Sequence, residues 1–172
     1  MFSAEPSAFA AVVRKTGLRS SMSEKCGAEN TAAGKSSFSS TVLSKMPQNS
    51  IPCAQRDDME KIYPAYRESD VVVLASPLYY WFISGHLKNA FDRLFAIAEC
   101  DPNVRNPVKD SVLIMAAEGA GFEESEHWYD HLEKHIGWKS IGKVLCGWVT
   151  QPGDIEGKPE LKKAYDLGKS IS

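Results

Sequence analysis

Two stretches of this chain carry residues suited to holding a flat ring. In the first, Ser76, Pro77, Leu78, Tyr79, Tyr80, Trp81 and Phe82 follow directly on the apolar run VVVLA at 71–75. Aromatic and apolar side chains at the end of a buried strand offer faces against which a planar group stacks. In the second, Glu118-Gly119-Ala120-Gly121 closes the apolar run 112–117. Glycines there let the backbone turn tightly or approach a ligand, so that main-chain amides become available as donors. Taken alone, each stretch also has a plainer reading. Loop aromatics pack, and a proline after a strand stops it.

Two other patterns suggest chemistry and fail on inspection. His127, His131 and His135 share one helix stripe at four-residue spacing. They stand among Glu123, Glu124, Glu126, Asp130 and Glu133, and a zinc site needs a further ligand and a supporting shell. A solvated helix face is the reading that fits. Gly34-Lys35-Ser36 ends like a P-loop, but the pattern G-x-x-x-x-G-K-[S/T] requires glycine where Glu29 stands.

The elements that must position the two stretches are legible from residue 57 onward. Asp57-Asp58-Met59-Glu60 is a helix-start signature, with Met59, Ile62 and Tyr66 facing a sheet at helical spacing. Pro64 interrupts that helix and predicts a kink or restart near Tyr63. Residues 71–75 and 112–117 read as strands apolar on every residue, as expected of parallel strands covered on both faces. Leu87, Ala90, Phe91, Leu94 and Ala98 mark one amphipathic helix. A further helix spans 123–136 and is closed by Gly137. Residues 141–149 read as a strand, and Pro159 opens a last helix through 171. Helix and strand alternate throughout, which implies an α/β fold with a parallel sheet and helices on both faces.

Residues 1–50 differ in kind from residues 51–172. They hold eleven serines, six Lys/Arg and three Glu, and no Asp, Ile, His, Tyr or Trp. FAAVV at 9–13 reads as a short strand and FSSTVLS at 38–44 as a weaker one. Three readings fit this segment: a transit-like leader, a divergent or replaced first βαβ unit, and a coding frame disturbed upstream of residue 50.

The whole chain has 172 residues and a net charge of −2. That length suits one domain with a sizeable core. The charge offers no case for nucleic-acid or membrane binding, and no apolar run approaches a bilayer span. Cys26, Cys53, Cys100 and Cys146 are widely spaced, so a reducing, cytoplasmic setting is expected rather than a disulfide framework.

Ser76-Pro77-Leu78-Tyr79, then Ser84-Gly85, Leu87-Lys88 and Asp92-Arg93, follow the order SP-x-Y-x(4)-SG-x-LK-x(3)-DR. This pattern resembles the flavodoxin-like, NAD(P)H-dependent FMN oxidoreductases over about residues 53–171. The resemblance implies a doubly wound sheet and an FMN cofactor. Hydride would pass from NAD(P)H to the flavin and on to a small-molecule acceptor, namely a quinone, nitro or azo compound or a second flavin. It also implies a homodimer and no side-chain acid or base. Carried over by position, it points to Ser76, Pro77, Leu78, Tyr79 and Tyr80 along the ring, partly through main-chain contacts. Glu118 and Gly119 would border its pyrimidine end, and Trp81 and Phe82 would wall the substrate side or an interface. The family's phosphate loop, GSPR-x(2)-GNT, has no clean counterpart; Asn30-Thr31 is a faint echo. A scaffold that has lost FMN is therefore the alternative reading. The related iron–sulfur flavoproteins carry a tight cysteine cluster before the Asp-Asp-Met helix, where this chain has only Cys53.

Overall fold

The computed structural model of the chain describes residues 9–13, 55–100 and 108–171. One sheet runs in the order β1 (Phe9–Val13), β2 (Val71–Tyr79), β4 (Asp110–Ala116), β5 (Lys139–Cys146). A short β3 (Phe82–Ile83) folds back on the end of β2. β2, β4 and β5 are parallel, with Leu74 opposite Leu113 and Ile114 opposite Val144. Their apolar runs are what a sheet covered on both sides requires.

Four helices contribute to one face: α1 (Met59–Glu68), α2 (Gly85–Arg93), α3 (Phe95–Cys100) and α4 (Glu123–Ile136). Met59, Tyr63, Tyr66, Leu87, Ile97 and Tyr129 meet Val72, Leu74, Leu113 and Met115 of the sheet in the larger core cluster. On the other face α5 (Pro159–Ile171) sets Ile171 and Leu167 against Val71, Val73, Val112 and Ile114. Alternation along each strand thus sends odd and even residues to different cores.

Several elements differ in detail from the sequence expectation. β1 lies where FAAVV predicts a strand, but it runs antiparallel to β2, pairing Phe9 with Ala75 and Val13 with Val71. A strand at the edge of a parallel sheet is free to take either direction, and hydrophobic pattern carries no signal for it. The strand expected at 38–44, and the boundary near residue 50, lie outside the described residues.

α1 runs unbroken through Pro64, whose ring faces solvent while Tyr63 and Tyr66 anchor the other side. Asp57 opens that helix by accepting from the Met59 amide at 3.0 Å. The single amphipathic helix expected after Gly85 divides at Leu94, which donates to Phe91 O at 3.0 Å in a tight turn. Its apolar stripe survives the break, since Leu94 and Ile97 stay buried. α4 ends at Gly137, whose φ of 81° is the left-handed cap that its residue type favours.

Candidate active site

The carboxyl ends of β2, β4 and β5 converge at one edge of the sheet, the place where open α/β sheets bind ligands. β2 is longer than its apolar run suggests. It continues through Ser76, Pro77 and Leu78 to Tyr79 because β3 pairs back on it, Leu78 with Ile83 and Tyr79 with Phe82. The connection is a two-residue hairpin turn, Tyr80-Trp81, with φ of 49° and 63°. Both central residues are left-handed, as in the type I′ turn that suits the twist of paired strands. Asn and Gly normally fill such turns, and bulky residues there are uncommon. Yet Tyr80 is 93% exposed and Trp81 61% exposed, so burial of the rings does not explain the conformation.

Ser76 is buried and its hydroxyl faces inward. Its Oγ accepts from the Ser84 amide at 2.8 Å and donates to Pro77 O at 2.7 Å. Ser84 in turn caps α2 by accepting from the Leu87 amide at 3.3 Å. The Ser-Pro and Ser-Gly pieces of the sequence pattern are therefore two halves of one clamp around the hairpin. Lys88 and Asp92 pair on the exposed side of α2 at 2.5 Å.

The segment after β4 lies beside this hairpin, since Ser76 is level with Met115 and Pro77 with Ala116. Glu118 is exposed and Gly119 half-buried. The amides of Glu118, Gly119 and Ala120 donate to no carbonyl among the described residues. A Cβ placed on Gly119 would touch nothing within 4 Å, so the space above this backbone is open. The third wall is the loop after β5, which the sequence reading takes as strand through Val149. β5 stops at Cys146, and Trp148 takes a φ of 59° with its ring 70% exposed. The Trp148 amide donates to Gly119 O at 3.3 Å and the Val149 amide to Ala117 O at 3.0 Å, lacing the two loops together.

Further along that loop, Asp154 accepts from the amides of Thr150 at 2.8 Å and Gln151 at 2.7 Å. Those bonds, the Gln151 amide first, hold its carboxyl below the usual carboxylate range. Lys158 closes the loop by donating to Gly147 O at 3.0 Å. Burial pushes the Cys146 thiol up, which favours its protonated form.

The structure thus brings Ser76, Pro77, Leu78, Tyr79 and Tyr80 together with Glu118 and Gly119 at one edge. Two contributors escape the sequence reading. Trp148 lies in a stretch read as strand, although the Gly147-Trp148 step signals an exit from it. Ser125, inside a helix, bears on the hairpin with its hydroxyl (below). Gly121, in the stretch already singled out, lies near Trp81: a Cβ added there would come within 3.4 Å of the ring. His127 and His131 lie edge to face, 4.6 Å apart, on the exposed side of α4. No cluster of three or more metal-ligating side chains occurs among the described residues.

These residues suit the ring end of a flavin. Exposed aromatic faces offer stacking surface, and amides that donate to no carbonyl among the described residues offer hydrogen bonds, the two kinds of contact an isoalloxazine ring takes. The part of the chain expected to meet the phosphate lies outside the described residues, as do Cys53 and Asn30-Thr31.

The sequence profile of the NADPH-dependent FMN reductases matches residues 18–150, and the chain belongs to that family. The match begins well upstream of Cys53, inside the segment where the motif resemblance stops. An iron-sulfur flavoprotein of Archaeoglobus fulgidus is 32% identical over 120 residues, which cover 70% of this chain and 53% of that protein. A second iron-sulfur flavoprotein of the same organism is 30% identical over 71 residues, covering 41% of this chain and 35% of that protein. The chain thus spans about half or less of the length of the curated relatives it matches. Among solved structures, the Trp repressor binding protein of Bacillus subtilis superposes with a TM-score of 0.50 at 24% identity, over 67% of this chain and 69% of that one. A thermophilic tryptophan halogenase from Streptomycin violaceusniger superposes with a TM-score of 0.52 at 18% identity, over 67% and 73%. These structures support the fold alone, the flavodoxin-like α/β sheet. No helix among the described residues is long and apolar enough to cross a membrane.

Proposed function

We propose that the chain is an NAD(P)H-dependent oxidoreductase that holds FMN at the carboxyl edge of its sheet. The observation that carries this reading is the convergence of the hairpin Tyr79–Phe82, the open backbone at Gly119 and the loop at Trp148. Bound FMN would accept hydride from the nicotinamide and deliver it to a quinone, nitro, azo or flavin acceptor. The chain's own contribution is position and electrostatics. Tyr79 and Tyr80 supply the apolar face for the ring, and Pro77 and Leu78 supply main-chain groups along its edge. The amides of Glu118, Gly119 and Ala120 offer hydrogen bonds to a developing negative charge, as oxyanion donors do. Ser76 acts through the hairpin, because its hydroxyl is engaged by Ser84 and Pro77. No ionisable side chain needs to exchange a proton in this scheme. The exposed aromatics Tyr80, Trp81 and Trp148 suit completion of the site by a second copy, giving a homodimer.

One observation favours the second reading, a scaffold that does not retain FMN. β1 is antiparallel, so Val13 stands beside Val71, at the edge of the sheet opposite Tyr79. A phosphate loop that follows a parallel first strand opens at the ring's edge of the sheet; here the chain leaves β1 at the other one. Steady-state oxidation of NADPH and NADH by the purified full chain, with FMN and a quinone, distinguishes the two. The oxidoreductase reading predicts turnover that depends on added or retained FMN. No turnover above that of free FMN supports the scaffold.

A further inference from the structure

The exposed turn Tyr80-Trp81 keeps a conformation that its residue types disfavour, because a left-handed residue brings its Cβ close to the following carbonyl oxygen. Strain of this kind persists only where the surroundings fix it. Tyr80 has almost no packing of its own, so the fixing groups must lie elsewhere. One is Ser125, in the first turn of α4 and fully buried. Its Oγ donates to Trp81 O at 2.9 Å, across 44 residues of sequence. The loop before α4 also runs close by: a Cβ added to Gly121 would lie 3.4 Å from the Trp81 ring. Next to the turn, Phe82 packs edge to face on Trp128 of α4, with centroids 5.3 Å apart. Every one of these groups belongs to α4 or to the loop that leads into it.

We propose that Ser125 is a positioning residue: its hydroxyl holds the Tyr80-Trp81 turn left-handed and joins the loop after β2 to the loop after β4 as one platform. The bond is well placed for this. It reaches the carbonyl of the second left-handed residue, it is partly buried, and it comes from the first turn of a helix. Ser125 touches no ligand in this scheme. It fixes where the Tyr80 and Trp81 rings stand relative to the Glu118 and Gly119 amides. The consequence for ligand binding rests on the proposed flavin site, whereas the latch itself does not.

The test uses the full chain labelled with 5-fluorotryptophan, with the Trp81 resonance assigned through Trp81→Phe. Wild type is expected to give one sharp fluorine line for Trp81. In Ser125→Ala that line broadens or splits while the line of the buried Trp138 is unchanged, and Ser125→Thr, which keeps the hydroxyl, restores it. FMN affinity falls about fivefold in Ser125→Ala, the usual worth of one hydrogen bond. Should Ser125→Ala not fold, Ser125→Cys, close in shape but a weak donor, takes its place with the same expectation. An unchanged Trp81 line in the folded variant overturns the proposal, whatever FMN does. If wild type binds no FMN, the flavin reading fails, and the fluorine lines still decide whether the latch exists.

Discussion

The carbonyl oxygen of Gly119 stands 2.5 Å from the point where a Cβ on Gly147 would sit. Two loops from neighbouring parallel strands therefore touch backbone to backbone, and only glycine at 147 permits it. Because both partners are main chain, a rotamer change cannot relieve the clash. Gly147→Ala is expected to destabilise the fold by about 1–3 kcal/mol, in line with other overpacked sites. Urea denaturation measures this. Gly85→Ala, where a Cβ would meet nothing within 4 Å, is the matched control with a smaller expected change.

The clamp around the hairpin makes a second expectation. Ser76→Ala leaves the buried Ser84 amide without its acceptor, which costs about 1–3 kcal/mol. Ser76→Thr keeps the hydroxyl and should recover most of the loss. A Ser76→Ala chain as stable as wild type would show that the Ser76–Ser84 bond does not hold the hairpin.

Asp57 and Arg93 form an ion pair between the start of α1 and the end of α2. The Arg93 guanidinium holds the Asp57 carboxyl below its ordinary value against the opposing effect of burial, with the Met59 amide assisting. A depressed carboxylate contributes stability above its unfolded value, near pH 3.9, and loses it as pH falls through the folded value. Wild type should therefore lose stability in acid faster than Asp57→Asn, which is weaker at neutral pH. Denaturant midpoints measured from neutral pH down to about pH 3 check this. Parallel curves for the two chains would contradict it.

At the alkaline end, burial pushes the Tyr66 and Tyr129 phenols well above their ordinary range. Above about pH 10 the unfolded chain releases protons from both, which the folded chain keeps. Stability should fall as pH rises through that window. The two buried phenols should ionise only as the chain unfolds, which phenolate absorbance during denaturation will report.

Most of the α/β scaffold can be read from sequence because buried parallel strands and amphipathic helices have strong periodicities. The runs at 71–75 and 112–117, the α4 stripe with its Gly137 cap and the Pro159 start all lie where those patterns put them. The direction of β1 cannot be read that way, since FAAVV is equally apolar in either sense. The break at Leu94 keeps the apolar stripe in phase and so leaves no mark in it. At the candidate site, the aromatics announce themselves by type. The conformation that presents them does not, because Tyr-Trp is not a turn sequence and its support comes from Ser125, far away in the chain. Trp148 is hidden for a related reason: an apolar stretch continues past Cys146 although the sheet pairing stops there.

The visible absorption spectrum of the purified full chain, after incubation with FMN and dialysis, tests the central claim most directly. The expected result is a retained flavin band, shifted and more structured than that of free FMN, which weakens in Gly147→Ala. A colourless protein that releases all added FMN would contradict it and leave a flavodoxin-like scaffold without its cofactor.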